Sequence, residues 1–506
     1  MLDEEFIMRK LLLLIAAAAT LLSAVILIRT MLHTPIPQDG IETAQIPVDE
    51  GVIAEHLSQA IQIPTISFQS NNDGEIQPFT DFIEWVKLTY PEVNQSMSLE
   101  VLGYSMLYKW QGSDPSLQPI LLTGHYDVVP VIPGTESQWQ HPPFAGEISD
   151  GIIWGRGALD DKSAVIAMLE AATLLLQQGY APTRTVYFSF GHDEEVGGTR
   201  GAAAVTQLLA DQNVQLSWSL DEGSFVLDGV LPGFNKLVAP INVAEKGSVT
   251  LVVAAKGAGG HSSMPPKQTA VGALAAAITK LENNPVPGGL EGLSLDMFDT
   301  ISREMAFVPR LLFANRWLFG SLLEDQLSNA SSTNAMLRTT TAATMLTGSV
   351  KTNVLAIEAT ATVNFRVHPR DSVQDVIEHV KFIVADENIE VRPLAGSGFG
   401  ASTVTDLELA GRGASEVSDK DSAGFRLISQ SIKEVYGDVV VTPGLMVAAS
   451  DSRHYTKVAD NSFRFNPMIV TNDDITGFHG TNEKISVANM AQGTRTYMQI
   501  IRHGSK

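Results

Sequence analysis

The alternation of strand-like and helix-like segments most constrains the fold of this 506-residue chain. Residues 119–124 form a short apolar run that ends in glycine, and residues 184–190 are rich in β-branched and aromatic side chains, as buried strands are. Between them, residues 162–178 are rich in Ala and Leu, which is typical of a helix. This strand–helix–strand order predicts an α/β fold with a mostly parallel sheet flanked by helices.

A second pattern starts near residue 244 and predicts an inserted domain. Its predicted elements are, in order, a strand at 247–255, a helix at 269–281, a strand at 358–367, a helix at 372–384 and a strand at 389–393. One further short strand before Glu358 would complete a β-α-β-β-α-β order, which is ferredoxin-like. The sequence therefore predicts a first domain made of residues 50–243 and 394–506, interrupted by an α+β domain at 244–393.

Residues 282–346 separate the first helix of the inserted domain from its central strands. Loops of this length are uncommon in compact domains, so the segment is predicted to be a helical elaboration. Its Leu-rich and aromatic stretches, 305–313 and 317–319, suit packing against the host domain or a partner subunit, and also suit an acyl-binding groove or a membrane surface. Residues 396–418, rich in Gly, Ser, Thr and Ala, are predicted to form a mobile loop.

The N-terminal residues 1–35 carry a predicted membrane anchor. Residues 11–28 are eighteen uncharged, mostly apolar residues, which can span a bilayer and exceed the usual apolar part of a signal peptide. No cleavage site is obvious before the polar linker at 36–50. Two cations before the helix, against one after it, favour a body outside the cytoplasm, in the periplasm, a lumen or the extracellular space. A cleaved signal peptide, which would give a secreted protein, is the alternative.

Charge and cysteine content exclude some classes of function. Lys and Arg number 34 against 56 Asp and Glu, and the resulting net charge of −22 repels nucleic acid, so no nucleic-acid partner is predicted. The chain has no cysteine, which excludes disulfides and thiolate metal sites. Any metal must therefore be bound by imidazole and carboxylate groups.

Six short segments carry acidic residues or histidine in an order that suits a hydrolase with two metal ions. They are His125-Tyr126-Asp127, Asp160-Asp161-Lys162, Asp193-Glu194-Glu195, Asp221-Glu222-Gly223, Gly260-His261-Ser262 and Phe478-His479-Gly480. A pair of zinc ions about 3.5–4 Å apart needs a bridging carboxylate, a His and a carboxylate on each side, and a free carboxylate for the proton of the attacking water. Taken singly, Asp160 reads as a helix cap and His479 as a structural histidine; the combination predicts a dinuclear site.

Local spacing suggests how some of these residues act. His125 and Asp127 are two apart at a strand end, so their side chains point the same way and Asp127 can accept the second imidazole proton. Glu194 and Glu195 are adjacent acids that repel each other unless cations absorb their charge. One of the two can bind metal while the other stays free.

The longer stretches around these segments resemble the dinuclear zinc amidohydrolases, a family that includes aminoacylase, carboxypeptidase S, carnosinase and glutamate carboxypeptidase. The stretches are TGHYDVVP at 123–130, GRGALDDK at 155–162, DEEVGG at 193–198, LDEG at 220–223, GGHSS at 259–263 and GFHG at 477–480. The resemblance covers about residues 50 to 506. With its Asp-Glu-Gly motif, long insertion and N-terminal anchor, the chain looks most similar to the carboxypeptidase S branch, which includes N-acyl amino acid hydrolases.

The resemblance implies a role for each motif in a catalytic domain with an inserted lid and dimerisation domain. Asp160 would bridge two Zn²⁺ ions, with Co²⁺ or Mn²⁺ as alternatives. The implied metal ligands are His125, Asp160, Glu195, His479 and one of Asp221 and Glu222, between which the sequence does not choose. Glu194 would be the general base, because a base must contact the water without being tied to the metal.

The inserted domain would contribute the substrate side of the site. By resemblance, His261 stabilises the oxyanion, commonly across a dimer interface, which implies a homodimer through the lid. Asn353 and Arg366 fit the family's binders of a substrate carboxylate, and Arg453 is a second candidate for that carboxylate. An exposed strand arginine such as Arg366 is, however, often only solvated.

These features predict a membrane-anchored, extracytoplasmic zinc hydrolase that cleaves an amide bond next to a free carboxylate. Its substrate would be a small peptide or an N-acyl amino acid. The enzyme alternative is a small-acyl aminoacylase or dipeptidase, and the other alternative is a metal-binding protein without turnover. The presence of Glu194 argues against the latter.

Overall fold

The structure, a computed structural model, describes residues 2–35, 37, 41–68, 76–231, 234–394 and 411–506. The chain forms two compact units. The main unit consists of Ile41–Gly288 and Arg338–Lys506, and the helical unit consists of Met1–Gly40 and Gly289–Leu337.

The main unit contains all strands of the described chain. They are β1 (Ser98–Leu102), β2 (Ser105–Trp110), β3 (Ile120–His125), β4 (Ile148–Ser149), β5 (Ile152–Trp154), β6 (Val186–Gly191), β7 (Trp218–Leu227), β8 (Leu237–Glu245), β9 (Gly247–Lys256), β10 (Gly260–His261), β11 (Thr340–Thr347), β12 (Val354–Leu355), β13 (Glu358–Val367), β14 (Ile389–Pro393), β15 (Gly411–Arg412), β16 (Val439–Met446), β17 (Ser462–Val470) and β18 (Lys484–Ser486).

The α-helices are divided between the two units. In the main unit they are α2 (Glu50–Ile61), α3 (Gln77–Thr89), α4 (Pro91–Ser96), α5 (Lys162–Gln177), α6 (Ala202–Asp211), α7 (Ala270–Asn283), α12 (Val373–Val384), α13 (Ala423–Tyr436), α14 (Ser452–Tyr455), α15 (Asn472–Ile475) and α16 (Val487–Gly504). In the helical unit they are α1 (Leu2–Leu32), α8 (Gly292–Ser302), α9 (Phe307–Ala314), α10 (Arg316–Ser328) and α11 (Ser331–Leu337).

An eight-stranded sheet forms the centre of the main unit, in the order β1-β2-β6-β3-β7-β17-β8-β16. Strand β3 runs parallel to both β6 and β7, and the pairs β7–β17 and β8–β16 are also parallel. All six residues of β3 and of β6 are buried, which suits strands covered by helices on both faces. The mostly parallel α/β fold predicted from the sequence is therefore confirmed.

Parallel pairing places the ends of β3 and β6 at the same edge of this sheet. His125, the last residue of β3, is in register with Gly191, the last residue of β6. The segments that follow these two strands therefore start side by side at the carboxyl edge, where open α/β sheets carry their sites.

A second sheet in the main unit is antiparallel, with the strand order β11-β13-β9-β14. Together with α7 and α12 it forms a β-α-β-β-α-β arrangement around its own buried apolar core, which includes Leu251, Leu274, Phe365 and Val380. The strand expected before Glu358 is β11. Strand β15 also joins this sheet, pairing with β9, although it lies beyond the predicted end of the inserted domain at residue 393.

The helical unit contains most of the predicted elaboration. Helices α8 to α11 lie within residues 292–337, whereas residues 340–347 form strand β11. Helix α1 includes the predicted anchor and is longer at both ends. Within the described chain, Phe6–Leu32 is the one helical segment long and apolar enough to cross a membrane. Of the loop predicted at 396–418, residues 396–410 lie outside the described residues.

Candidate metal centre

Asp160 lies between two histidines at the carboxyl edge of the central sheet. Its Oδ1 is 3.1 Å from Nε2 of His125, and its Oδ2 is 3.1 Å from Nε2 of His479. Each histidine also contacts a second acid: His125 Nε2 is 3.5 Å from Glu222, and His479 Nε2 is 3.2 Å from Glu195. The result is two groups of three ligands that share Asp160.

The donor atoms in these groups fit metal ions. Within each group the ligand atoms all lie within 4.8 Å of one another. Imidazole nitrogen and carboxylate oxygen are ligands that Zn²⁺ accepts. Oε1 of Glu195 is buried and has no hydrogen-bond partner among the described residues, so it is available for a cation.

The electrostatics of the site also favour cations. Burial, helped by nearby carboxylates, raises the pKa of Glu222 to about 7. Burial likewise raises the pKa of Asp221 to about 6. Hydrogen bonds to Asp160 and Glu195 raise the pKa of His479 to about 10. The acids thus hold their negative charge poorly without positive partners, and bound divalent ions would supply them.

The turn before α5 carries Asp160 and is fixed by a buried carboxylate, Glu483. One oxygen of Glu483 accepts hydrogen bonds from the backbone N–H groups of Gly157, Leu159 and Asp160, at 3.0, 2.8 and 3.1 Å. The other oxygen is 2.7 Å from the buried guanidinium of Arg156. Asp160 is therefore held from its backbone side while its carboxylate faces the histidines.

Asp127 links the loops that follow β3 and β6. Its carboxylate accepts hydrogen bonds from the backbone N–H groups of Glu194 and Glu195, at 3.1 and 3.2 Å. The sequence predicts that Asp127 accepts the second imidazole proton of His125. Nδ1 of His125 is 3.0 Å from the backbone oxygen of Asp127 and 3.4 Å from its carboxylate. Donation from Nδ1 leaves Nε2 as the nitrogen that faces Asp160.

Glu194 differs from the acids of the two ligand groups because its carboxylate forms no ion pair with a histidine among the described residues. No hydrogen bond or ion pair of that carboxylate occurs in the described part of the chain. Burial and the nearby charge of Glu222 raise the pKa of Glu194 well above its usual value. Gly198, four residues later, is required sterically, since a Cβ on it, where φ is +63°, would collide with the carboxylate of Asp451.

Of the two adjacent acids left open by the sequence, Glu222 lies in a ligand group and Asp221 does not. Asp221 is buried, and one of its carboxylate oxygens has no hydrogen-bond partner among the described residues. Successive residues of a strand point to opposite faces, which separates the two carboxylates.

Two of the predicted substrate-side residues lie together on the small antiparallel pair β10–β12. His261 is paired with Val354, and the backbone oxygen of Asn353 accepts a hydrogen bond from the backbone N–H of Ser262. Both His261 and Asn353 are exposed. Nδ1 of His261 is 2.8 Å from Ser263, and over the described residues no hydrogen bond or ion pair joins His261 to the two ligand groups.

Arg366 belongs to a row of residues across the antiparallel sheet. Ser248 of β9 is in register with Arg366 of β13 on one side and with Arg412 of β15 on the other. Register partners share a face of a sheet, so the two arginines flank Ser248. Burial and the charge of Arg412 lower the pKa of Arg366. Glu245 pairs with Arg412 at 2.6 Å, whereas Arg366 has no ion pair among the described side chains.

Arg453 lies on α14, close to the acids of the site. Burial and the charge of Asp221 raise the pKa of Asp451. The positive charge of Arg453 opposes this rise. One terminal nitrogen of the Arg453 guanidinium is buried without a hydrogen-bond partner in the described chain. The side chain therefore retains the capacity to bind an anion.

Sequence reasoning missed several residues that shape the site, namely Glu483, Asp451, Arg412 and Asn466. Asn466 donates a hydrogen bond of 2.8 Å to Asp161, and Asp451 packs against the glycines after Glu195. None of these residues belongs to a motif with metal-ligand spacing. The only available signal was the position of Glu483, three residues after Gly480 in the last motif.

Comparisons with known proteins point to one family. The family model described as peptidase family M20/M25/M40 matches residues 121–503. "Probable carboxypeptidase S-like 2" of Dictyostelium discoideum is 39% identical over 90% of this chain and 85% of its own length. The N-fatty-acyl-amino acid synthase/hydrolase PM20D1 of Xenopus tropicalis is 38% identical over 95% of this chain and 92% of its own.

A solved structure shows the same fold. The M20 family metallo-carboxypeptidase Sso-CP2 of Sulfolobus solfataricus superposes with a TM-score of 0.61 at 18% identity, covering 90% of this chain and 99% of its own. At that identity the likeness concerns the fold alone.

Proposed function

Because this chain belongs to the peptidase family M20/M25/M40, and so is a metallopeptidase or amidohydrolase, we propose that it hydrolyses an amide bond next to a free carboxylate with the help of two zinc ions. One observation carries this proposal: the two oxygens of Asp160 each face a histidine that also contacts a second carboxylate. A shared carboxylate between two three-ligand groups is the arrangement that a pair of metal ions requires.

The proposed ligands are His125 and Glu222 for one ion, Glu195 and His479 for the other, and Asp160 for both. Zinc bound there would lower the pKa of a water molecule to about 7 and polarise the scissile carbonyl. The unpartnered oxygen of Glu195 and the raised pKa values of the acids support the choice of ligands.

Glu194 would move the proton. Its carboxylate takes a proton from the attacking water as the water oxygen bonds to the carbonyl carbon, and then gives that proton to the amine nitrogen as the C–N bond breaks. The products are a carboxylic acid and a free amine. This role is supported by the absence of a hydrogen bond or ion pair of the Glu194 carboxylate in the described chain and by its pKa, which burial raises and which makes the carboxylate a better proton acceptor.

Residues of the antiparallel sheet would recognise the free carboxylate of the substrate. We expect Arg366 and Asn353 to bind it, with Arg412 adding positive charge across Ser248 and Arg453 as the alternative anchor. His261 would support the oxyanion, either after closure of the inserted domain or from a second copy in a homodimer.

N-acyl amino acids are the first substrate class to test, and peptides with a free C-terminus are the second. Both place a carboxylate beside the scissile amide. The first class is supported by the Xenopus relative, whose name specifies N-fatty-acyl amino acids, and the second by the carboxypeptidase S-like relative.

The enzyme would be anchored in a membrane by α1, with its body outside the cytoplasm. Retention of α1 is supported by its C-terminal turns, because Thr30 and His33 are buried against other residues of the helical unit. Cleavage before residue 34 would remove the hydrogen bonds that Asn315 and Ser302 make with Thr30 and His33.

The test is amino acid release by the full-length chain in lipid nanodiscs after chelation and again after adding zinc. The panel contains short- and long-chain N-acyl amino acids, dipeptides, and matched N-acyl amino acid amides that lack the carboxylate. We expect zinc-dependent release from carboxylate-bearing substrates only. No release from any member despite bound zinc would favour a metal-binding protein without turnover.

A further inference from the structure

The helical unit joins the apolar N-terminal helix to the long insertion of the chain. Helix α1 and helices α8 to α11 form one compact body although more than 250 residues separate them in sequence. Among the side chains of α1 whose burial is described, residues 6–32, the buried and partly buried ones lie in its last turns. Ile26 is partly buried, and Thr30 and His33 are buried, which gives one stripe at helical spacing.

Polar contacts fix this junction. The buried side chain of Asn315 donates hydrogen bonds to the backbone oxygen of Ile26, at 3.1 Å, and to the hydroxyl of Thr30, at 3.2 Å. His33 contacts the buried hydroxyl of Ser302 at 2.9 Å. Hydrogen bonds between buried groups favour one docking position, because a shift of α1 would break the bonds that join it to Asn315 and Ser302.

The junction lies at the level where α1 would leave a bilayer. Residues 6–25 are exposed and mostly apolar, and the uncharged stretch ends at Ile28, immediately before Arg29. Arg29 donates a hydrogen bond to the backbone oxygen of Ala314. Arginines at the end of a membrane helix place their charge among the lipid headgroups. Helix α9 ends at Ala314 and helix α10 begins at Arg316, so both helices have one end at this level.

Both helices expose large apolar side chains. On α9, Phe307 and Val308 are 47% and 66% exposed. On α10, Trp317, Leu318 and Leu322 are 55%, 45% and 47% exposed, and the i, i+4 spacing of Leu318 and Leu322 places these two on one face. An exposed apolar patch of this kind marks an interaction surface.

The charge of the segment is opposite to that of the whole chain. Residues 305–323 contain Arg310 and Arg316 and no acidic residue, in a chain of net charge −22. Apolar and aromatic side chains next to arginines are typical of helices that lie in the interfacial layer of a membrane.

We propose that the helical unit docks on a lipid bilayer through Phe307, Val308, Trp317, Leu318 and Leu322, beside the point where α1 leaves the membrane. The occupant of this apolar face is the lipid surface itself. The uncharged stretch of α1 up to Ile28 and the absence of acids from 305–323 favour lipid over a second copy of a chain as acidic as this one. This inference does not depend on the reaction that the main unit catalyses.

The absence of cysteine allows a direct test, since single cysteines can carry a nitroxide spin label. The substitutions are Leu318→Cys and Leu322→Cys on the proposed face, and Ala18→Cys in α1 as the lipid reference. Val350→Cys and Phe382→Cys are the water reference, at positions 97% and 79% exposed in the main unit. The full-length chain is reconstituted into vesicles of phosphatidylcholine with a minority of phosphatidylglycerol. Collision of the label with oxygen, which dissolves in lipid, is compared with collision with a water-soluble nickel complex.

We expect the ratio of oxygen to nickel collision at positions 318 and 322 to be several-fold higher than at 350 and 382, approaching that at position 18. Ratios equal to the water references would overturn the proposal. Protection from both reagents, with line broadening between labels, would overturn it in favour of a second copy as the occupant. Loss of the label at position 18 through processing would also overturn it, because the helical unit would then lack α1.

Discussion

Asp160 has two carboxylate oxygens that face opposite histidines, and its backbone N–H is bound by Glu483. This places one negative charge where two cations would share it. Burial disfavours the charge, yet hydrogen bonds from His125 and His479 keep the pKa of Asp160 below its usual value. The pKa values of Glu194, Glu195, Asp221 and Glu222 are raised instead, so among these acids Asp160 is the one whose negative charge is favoured by its neighbours.

The first prediction concerns the general base. Glu194→Gln keeps the size of the side chain but removes its ability to take a proton, so we expect kcat to fall by about 10²–10⁴-fold. Zinc content should remain at the wild-type value, because Glu194 is not in either ligand group. The matched variant Glu195→Gln should lose zinc together with activity. Near-normal kcat in Glu194→Gln would exclude its proposed role.

The second prediction separates the adjacent acids. We expect Glu222→Gln to bind one zinc ion fewer than the wild type and Asp221→Asn to retain both, because only Glu222 lies in a ligand group. Metal content measured by mass spectrometry on desalted protein decides between them. The reverse result would assign the coordinating role to Asp221.

The sequence predicted the side chains that face the metal positions but not those that hold them. His125, Glu195 and His479 lie in motifs whose residue types reveal metal chemistry. Glu483 acts by accepting backbone N–H groups from a turn more than 320 residues away, and such a contact leaves no pattern in sequence. The choice between Asp221 and Glu222 also depended on side-chain direction, which spacing alone does not give.

At the scale of elements, the antiparallel sheet combines strands from distant parts of the chain. The order of β9, α7, β13, α12 and β14 could be predicted, because each element has its own apolar periodicity. Strand β15 could not, since it is two residues long and gains its pairing only from β9. It nevertheless brings Arg412 into the row with Ser248 and Arg366.

The third prediction tests that row. Arg366→Met should lower kcat/KM by about 10–100-fold, mainly by raising KM, since a charge-assisted hydrogen bond to a carboxylate is worth about 1.5–3 kcal/mol. The matched control is Arg392→Met, which removes an exposed arginine from β14 of the same sheet and should leave KM unchanged. The discrimination between an N-acyl amino acid and its amide should shrink in Arg366→Met only. An unchanged discrimination would show that another group, such as Arg453, binds the carboxylate.

For the whole molecule, the fold class followed from strand and helix periodicity, whereas the grouping of α1 with the insertion did not. That grouping includes hydrogen bonds that join Asn315 to Thr30 and Ser302 to His33. From sequence alone each would pass as a tolerated polar residue in a helix.

The fourth prediction links pH, zinc and stability of the whole chain. Without metal, burial raises the pKa of Glu222 to about 7, so the protonated side chain favours the folded state. This contribution to the free energy of unfolding is fully present below the ordinary pKa of glutamate and is lost as the pH rises through 7. The raised pKa of His479, about 10, acts in the same direction. Zinc replaces these protons, so its stabilising effect should grow with pH. We expect the zinc-induced rise in Tm to be several degrees larger at pH 8 than at pH 5, measured by scanning calorimetry. An equal rise at both values would argue against zinc binding at these acids.

The central claim, that one carboxylate joins two metal ions, is tested most directly by anomalous diffraction at the zinc edge from crystals of the zinc-loaded protein. The account predicts two peaks about 3.5–4 Å apart on either side of Asp160, one beside His125 and Glu222 and the other beside Glu195 and His479. A single peak, or peaks that leave Asp160 outside their coordination, would contradict it.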